Sequence, residues 1–209
     1  MHLRSYDAEK DREAAFRIWR EAGWMDGSPE QAEAADIFMS GGRGMVGELE
    51  GEAECLVLTM PATVRYLDED LPMCAVASVA TSHVGRRQGL ASRTTALSVA
   101  QDASEGALVA GLGMFDQGYY DQLGFGTGTY EHWVSFDPSH LTVAVKPRLP
   151  RRLTAADAEA AHTARLRRAR GHGAVNILPP QFTRGAMVHA KSAISLGYFD
   201  GPGGELSHY

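Results

Sequence analysis

The stretch Val79-Ala80-Thr81-Ser82-His83-Val84-Gly85-Arg86-Arg87-Gln88-Gly89-Leu90-Ala91-Ser92 decides how the chain is to be read. Its first residues close an apolar run, Met73 to Thr81, that reads as a strand, and a helix from about Leu90 to Ala103 begins directly after Gly89. The amide groups at a helix N-terminus have no internal partners and stand at the positive end of the helix dipole. A strand, a glycine turn and a helix in this order therefore suit a phosphate or pyrophosphate. Gly89 lets the backbone approach such an anion, Ala91 and Ser92 keep the first helical turn uncrowded, and Arg86 and Arg87 can fork onto phosphate oxygens. The same residues also fit a plain strand-turn-helix connection with solvated arginines. The segment taken alone does not separate the two.

Working outward, apolar residues Ala14, Ala15, Ile18, Trp19 and Ala22 recur at three- and four-residue steps between Asp7 and Trp24 and predict an amphipathic helix. Ser28-Pro29, with Gln31 three residues after the serine, starts a second helix that runs to Met39 and stops at Gly41-Gly42. Two helices are thus expected before any strand. Met45 to Leu49, Cys55 to Tyr66 and Met73 to Thr81 predict antiparallel strands joined by the acidic turns Glu50-Gly51-Glu52 and Asp68-Glu69-Asp70. After the helix at Leu90 come predicted strands at Ala107 to Leu112 and Thr129 to Phe136, with a short helical piece around Tyr119 to Leu123 between them. Beyond Phe136 the chain offers a Pro- and Arg-rich linker, Lys146 to Arg152, and a helix from Thr154 to Arg170. A further helix is expected near Thr183 to Lys191, and strands at Ala193 to Phe199 and near Glu205 to Tyr209. The order predicts an α/β (α+β) fold with a mixed, mostly antiparallel sheet flanked by helices.

The pattern Arg-x-x-Gly-x-Ala, Arg86 to Ala91, directly after a strand resembles motif A of the GCN5-related N-acetyltransferase (GNAT) superfamily. About thirty residues on, Tyr119-Tyr120-Asp121-Gln122-Leu123-Gly124-Phe125 is similar to that family's Phe-Tyr-x-x-x-Gly-Phe element. The phrases SVATSHVGRRQGLAS and YYDQLGFGTGTYEHW look most like the enhanced-intracellular-survival (Eis) type. The resemblance spans roughly Met1 to Phe136 and implies the GNAT acyl-coenzyme A N-acyltransferase fold. It implies transfer of the acetyl group of acetyl-coenzyme A to a primary amine of a small molecule or lysine-type acceptor, by direct attack in a ternary complex and without a metal. Carried over position by position, main-chain groups of Val79, Ala80 and Thr81 would bond the pantetheine arm like an added strand. Arg87, Gln88, Gly89, Leu90, Ala91 and Ser92 would cradle the pyrophosphate, with Phe115 and Asp116 near the thioester. Tyr120 would protonate the departing sulfur.

Two departures stand out. His83 occupies a position where many relatives have Pro, and the base is unassigned, because Eis-type enzymes use the carboxylate at the end of a longer chain. The acceptor site implied by the family lies between the first helices and the sheet edge, which makes Trp24, Met25, Asp26 and Phe38 candidates for an aromatic and acidic lining. The alternative reading is a catalytically degenerate coenzyme A-binding scaffold or regulatory protein, which would share all these backbone features.

Composition narrows the classes. The 209 residues are 44% hydrophobic and 22% charged, with a formal net charge of −6. An acidic balance argues against nucleic acid and anionic membrane surfaces as partners. No window approaches the ~18–20 apolar residues of a membrane span and no N-terminal h-region is present, so a cytoplasmic location is expected. Cys55 and Cys74 sit in apolar strands and read as reduced core residues. The eight histidines lack metal-ligand spacing, so no metal site is expected, and His162 and His172 are expected on helix and loop surfaces. The arginines between Arg165 and Arg170 are expected to solvate a helix end. Gly111-Leu112-Gly113-Met114-Phe115-Asp116 begins like a dinucleotide fingerprint, but Asp116 stands in place of its third glycine.

The length divides into an expected acetyltransferase domain over residues 1–145 and, over 146–209, a linker with the start of a second, degenerate GNAT-like domain. The last residues break off in an expected strand, which suggests a piece of a longer protein. The resemblance further implies a symmetric homo-oligomer.

Overall fold

The computed structural model describes residues 1–114, 118–128, 132–142, 144, 146, 148–189, 195–201 and 203–209. It begins with a strand, not a helix: β1 (His2–Ser5) pairs antiparallel with β2 (Arg43–Leu49). The expectation of two leading helices overlooked it because His-Leu-Arg-Ser carries no apolar period. Its register is held by charge as well as by the ladder. Arg4 makes two hydrogen bonds to the buried carboxylate of Asp11, at 2.6 and 2.7 Å, and a third to Glu48, which also takes Lys10 and His2.

Helices α1 (Ala8–Glu21) and α2 (Pro29–Ser40) follow. Asp7 caps α1 by accepting the Glu9 amide, and Ser28 caps α2 by accepting that of Gln31. The sheet continues through β2, β3 (Glu52–Tyr66) and β4 (Glu69–Thr81), all antiparallel, to β5 (Val109–Gly111), which lies parallel to β4. Helix α3 (Leu90–Ser104) crosses between β4 and β5. Phe16, Ile18 and Trp19 of α1 and Met39 of α2 pack with Val46, Leu56 and Ala80 on one face of the sheet. Leu90 of α3 packs with Cys55, Val57, Cys74 and Val76 on the other. The architecture is a mixed, mostly antiparallel sheet flanked by helices.

One irregularity sets the faces of β4. Leu58 pairs with Ser78 but Thr59 pairs with Val76, so Ala77 is an extra residue, a β-bulge. Side chains alternate along a strand, and one inserted residue inverts the alternation beyond it. Cys74 and Val76 face α3 before the bulge, while Val79 faces α3 and Ala80 faces α1 after it.

The later chain is less regular than expected. His132–Phe136 form no strand, and residues 129–131 of that expected strand lie outside the described residues. Short strands β6 (Arg151–Arg152) and β8 (Leu196–Gly197) pair antiparallel, and Tyr198 bridges His208. The expected strand from Ala193 is thus two residues long within the described residues. A one-turn helix, Ala155–Asp157, opened by a Thr154–Asp157 capping box, leads into α4 (Ala158–Arg167). Then β7 (Val175–Ile177) pairs with Ala62–Val64 of β3, on the edge that β2 leaves free beyond Thr59. Helix α5 (Pro180–His189) packs on α2, where a Cβ at Gly185 would sit 3.2 Å from the Ala34 carbonyl oxygen. His162 is buried, contrary to expectation, because α4 packs on α5: its ring nitrogens bond Thr183 Oγ1 at 3.0 Å and the Leu178 carbonyl at 2.9 Å. His172 bonds the Leu67 amide through Nδ1 at 3.1 Å. Of the arginine run, Arg170 pairs with Asp70 of the β3–β4 hairpin and Arg165 lies over the Phe182 ring, so these are held by partners as well as by solvent. No helix among the described residues is long and apolar enough to cross a membrane.

Candidate functional site

The turn after β4 is fastened from below. Ser82 is fully buried; its amide donates to the Glu54 carbonyl at 2.9 Å and its hydroxyl accepts the Gly85 amide at 3.0 Å. The His83 amide donates to the Glu21 carboxylate at the end of α1, a bond that proline could not make, and this bond is the main reason the Glu21 carboxyl is held below its ordinary range. Above this anchor the backbone turns left-handed twice, at Arg87 (φ +62°) and Gly89 (φ +75°). Such turns gather successive amides into an anion-binding concavity. Gly89 precedes α3 without any side-chain cap, and the first turn of α3 holds no acidic residue. Arg86 and Arg87 are exposed and have no carboxylate partner among the described residues. Donors and positive charge thus converge on an uncapped helix end with no anion among the described residues to occupy it.

A groove of about 570 Å³ runs from this turn along β4. Val79 and Thr81 form its strand side, and Arg87, Gly89, Leu90, Ala91 and Ser92 its helix side. Gly85, Arg86 and Tyr119 complete it. Tyr120 also lines it, from a one-turn helix, Tyr120–Leu123, that ends at Gly124 with φ +86°. The Tyr120 ring meets Tyr119 edge-on at 5.0 Å and Phe125 at 5.9 Å, while the Tyr119 hydroxyl lies 3.2 Å from Ser92 Oγ. Burial, with smaller contributions from Tyr119 and Cys55, pushes the Tyr120 hydroxyl above the usual tyrosine range, so it carries its proton at neutral pH.

Of the residues expected from sequence, Val79, Thr81, Arg87, Gly89, Leu90, Ala91, Ser92 and Tyr120 meet in this groove. Gln88 lies exposed on the same turn without lining it, and the Ala80 side chain points to the α1 face, leaving only its main chain on this strand edge. Phe115 and Asp116 lie outside the described residues. The strand edge is available because β5 pairs only with Met73–Ala75, so from the bulge onward β4 has no described neighbour on that side.

On the other face of β4 the cavity wall includes Ala77 and Ser78 of the bulge, Trp24 and Met25 after α1, and Phe38 of α2. Its volume is about 340 Å³. Of the four residues expected here from sequence, Trp24, Met25 and Phe38 line the wall and Asp26 does not. The Asp26 carboxylate accepts the Ser28 amide at 2.8 Å, and that bond holds it below the ordinary carboxylate range. Sequence reasoning missed Phe182, Ala186 and His189, which α5 supplies from the distant end of the chain. Among the described residues no group of three His, Cys, Asp or Glu side chains is placed to hold a metal ion.

The chain belongs to the acetyltransferase (GNAT) domain family, whose model matches residues 3–128. No curated protein matches the chain. Among solved structures, it is similar to Eis1 from Mycobacterium abscessus, with 19% identity and a TM-score of 0.69 over 92% of this chain and 49% of that one. It is also similar to a probable N-acyltransferase from Enterococcus faecalis V583, with 18% identity and a TM-score of 0.54 over 59% of this chain and 31% of that one. Glucosamine-6-phosphate N-acetyltransferase from Arabidopsis thaliana has 14% identity and a TM-score of 0.53 over 65% of this chain and 98% of its own. At these identities the likeness is one of fold. The chain spans about half the length of the Mycobacterium protein and about a third of the Enterococcus one.

Proposed function

We propose that the chain is an Eis-type N-acetyltransferase that moves the acetyl group of acetyl-coenzyme A to a primary amine by direct attack in a ternary complex. The observation that carries the reading is the groove itself. It brings together an uncapped helix end with two left-handed turns, the edge of β4 that has no described neighbour, and the protonated hydroxyl of Tyr120. A pyrophosphate fits the first feature, because its charge meets amides and two unpartnered arginines. An amide-bearing arm fits the second, by strand addition beyond the bulge.

Acetyl-coenzyme A supplies the acetyl group as a thioester and departs as a thiol. The protein's part is to hold the two ends of that molecule and to exchange protons. Tyr120 donates at the departing sulfur, whose pKa of ~8–9 is that of an ordinary thiol. The acceptor nitrogen must be neutral to attack, so a proton leaves it first. The amine approaches from the α1 face. Ser78 lines that cavity on the α1 face and Val79 the coenzyme groove on the α3 face, so the two reactants meet around the edge of β4 that has no described neighbour.

The Eis type is supported by a likeness of fold that runs through most of the C-terminal segment, since 92% of this chain is covered. With it we propose a first unit over residues 1–145, the start of a second GNAT-like unit over 146–209, a homo-oligomer and a cytoplasmic location. Calorimetry with acetyl-coenzyme A, followed by thiol release with a panel of amines, tests the function. Coenzyme binding with turnover supports it. Binding without turnover favours a scaffold, and absence of binding refutes both.

A further inference from the structure

We propose that the acceptor is a small primary amine carried on an aromatic or aliphatic body, seated between α2, α5 and the β4 bulge, with His189 taking its ammonium proton. The proposal rests on the acetyltransferase reading and names the substrate class of the same site. The cavity holds about 340 Å³, at the small end of the ~300–1,000 Å³ usual for small-molecule pockets. Its wall is aromatic and aliphatic: Trp24, Phe38 and Phe182 with Met25 and several alanines. The rings form a continuous surface, Trp19 to Phe38 at 6.2 Å and Phe38 to Phe182 at 6.0 Å. Trp24 stands at its edge, 40% exposed.

Polar groups in this wall are few, and two of them have no partner. Trp19 and Ser78 are each only 6% exposed, yet Trp19 Nε1 and Ser78 Oγ have no hydrogen-bond partner among the described residues. Buried polar atoms are normally paired, so an unpaired donor and hydroxyl in a cavity wall point to a ligand. His189 is the one titratable side chain in the described wall, and Asp26, outside it, lies within electrostatic reach of His189. Imidazole is the side chain suited to proton transfer near neutrality. A polyamine or an amino sugar would bring several ammonium or hydroxyl groups into a wall that has no carboxylate among its described residues to receive them, and burying unpaired polar groups is unfavourable. A single amine on an apolar body leaves none unpaired.

The step balances as follows. The ammonium gives one proton to His189, which passes it to water. The nitrogen lone pair forms the C–N bond to the acetyl carbonyl carbon as the C–S bond breaks. The sulfur keeps that bond's electron pair and takes the Tyr120 proton. The second proton of the nitrogen returns through solvent to Tyr120. The products are an N-alkylacetamide, the free thiol and one solvated proton.

The test uses the full chain with 2-phenylethylamine, hexylamine, spermidine and kanamycin as acceptors. It measures thiol release, tryptophan fluorescence during 2-phenylethylamine titration, and acetyl-coenzyme A affinity by calorimetry. The expected result is a kcat/KM at least tenfold higher for the first two amines, together with a saturable fluorescence change. Ala186 is an exposed residue of the wall, so Ala186→Trp should fold. It should raise KM for 2-phenylethylamine tenfold or more without altering coenzyme affinity. His189→Gln should lower kcat tenfold or more while the fluorescence titration midpoint moves less than about threefold; an unchanged kcat removes His189 from the step. A preference for spermidine or kanamycin overturns the acceptor class and leaves the acetyltransferase reading standing. Coenzyme binding with neither turnover nor a fluorescence response to 2-phenylethylamine overturns the acceptor class as well. Loss of coenzyme binding in the unaltered chain refutes the acetyltransferase reading, and the acceptor class with it.

Discussion

Gly89→Asp should leave the fold nearly intact and abolish most coenzyme affinity, because the two effects draw on different features of one residue. Gly89 adopts φ +75°, a region in which most side chains cost about 1–2 kcal/mol and Asp or Asn less. A Cβ there would meet nothing within 4 Å, so no steric cost is added. A carboxylate at the start of α3, whose first turn has no acid, gains roughly 0.3–1 kcal/mol from the helix dipole. The net change in stability is then within about 1 kcal/mol, or ~2–4 °C in Tm for a chain of this size. The same carboxylate occupies the place proposed for the pyrophosphate. Two unit charges ~4 Å apart repel by about 1 kcal/mol at the dielectric constant of water and ~4 kcal/mol at an effective value of 20, so affinity should fall about fivefold or more. Gly89→Asn supplies the control, with the same strain and shape but no charge. Urea unfolding reads the stability and calorimetry with acetyl-coenzyme A reads the affinity. If the Asp and Asn variants bound the coenzyme within threefold of each other, the anion would not sit at this turn and the groove assignment would fail.

Three other outcomes are expected. Tyr120→Phe should lower kcat tenfold or more with coenzyme affinity barely changed, and steady-state kinetics beside calorimetry checks this; unchanged turnover removes Tyr120 from the mechanism. Lys10, Arg4 and His2 hold the Glu48 carboxyl down to about 2, and although burial pushes Asp11 up, the hydrogen bonds from Arg4 and the Asp7 amide, together with the charges of Arg4 and Lys10, outweigh it and leave Asp11 below its ordinary range. Both groups are depressed, so their stabilisation is complete above the unfolded carboxylate range near ~4 and is lost as pH falls from there toward ~2. Urea midpoints should drop over that window, and less steeply in Glu48→Gln; equal slopes would contradict the assignment. Burial pushes the Cys74 thiol up to about 12, with Asp102 adding to it, and burial likewise raises Cys55, so neither should react with a disulfide reagent at pH 8 until the chain unfolds. Fast labelling of the folded protein would show that one of the strands opens.

What the sequence discloses about this fold is what is decided locally. The β3–β4 hairpin is legible because both arms are rich in β-branched and apolar residues and the turn between them is acidic. The anion turn is legible because glycine, arginine and small residues fall in a fixed order between a strand and a helix. β1 and β7 escape notice because each is short and owes its state to a distant partner: Leu3 to Gly47 across the sheet, Asn176 to Thr63. His162 reads as a surface residue among alanines and arginines, yet Thr183 and the Leu178 carbonyl, from residues beyond its own helix, satisfy both ring nitrogens and make burial affordable.

The site divides along the same line. Nothing in Val76-Ala77-Ser78-Val79 marks a bulge, since any of these residues suits a regular strand; it exists only as a mismatch of register between Leu58–Ser78 and Thr59–Val76. Its effect is nevertheless what gives the proposed site its two sides. Without the extra residue, Ser78 and Ala80 would continue the face of Cys74 and Val76 toward α3, and Val79 and Thr81 would face α1. With it, Val79 and Thr81 line the anion groove while Ser78, with an unpaired hydroxyl, turns to the apolar cavity. The parallel pairing with β5 ends at Ala75, two residues before Ala77, so the strand edge becomes free where the faces exchange. The groove proposed for the coenzyme and the cavity proposed for the acceptor are therefore two consequences of one inserted residue. The first is legible along the chain because its amides and arginines are consecutive, whereas the part of the second that α5 supplies comes from more than a hundred residues away.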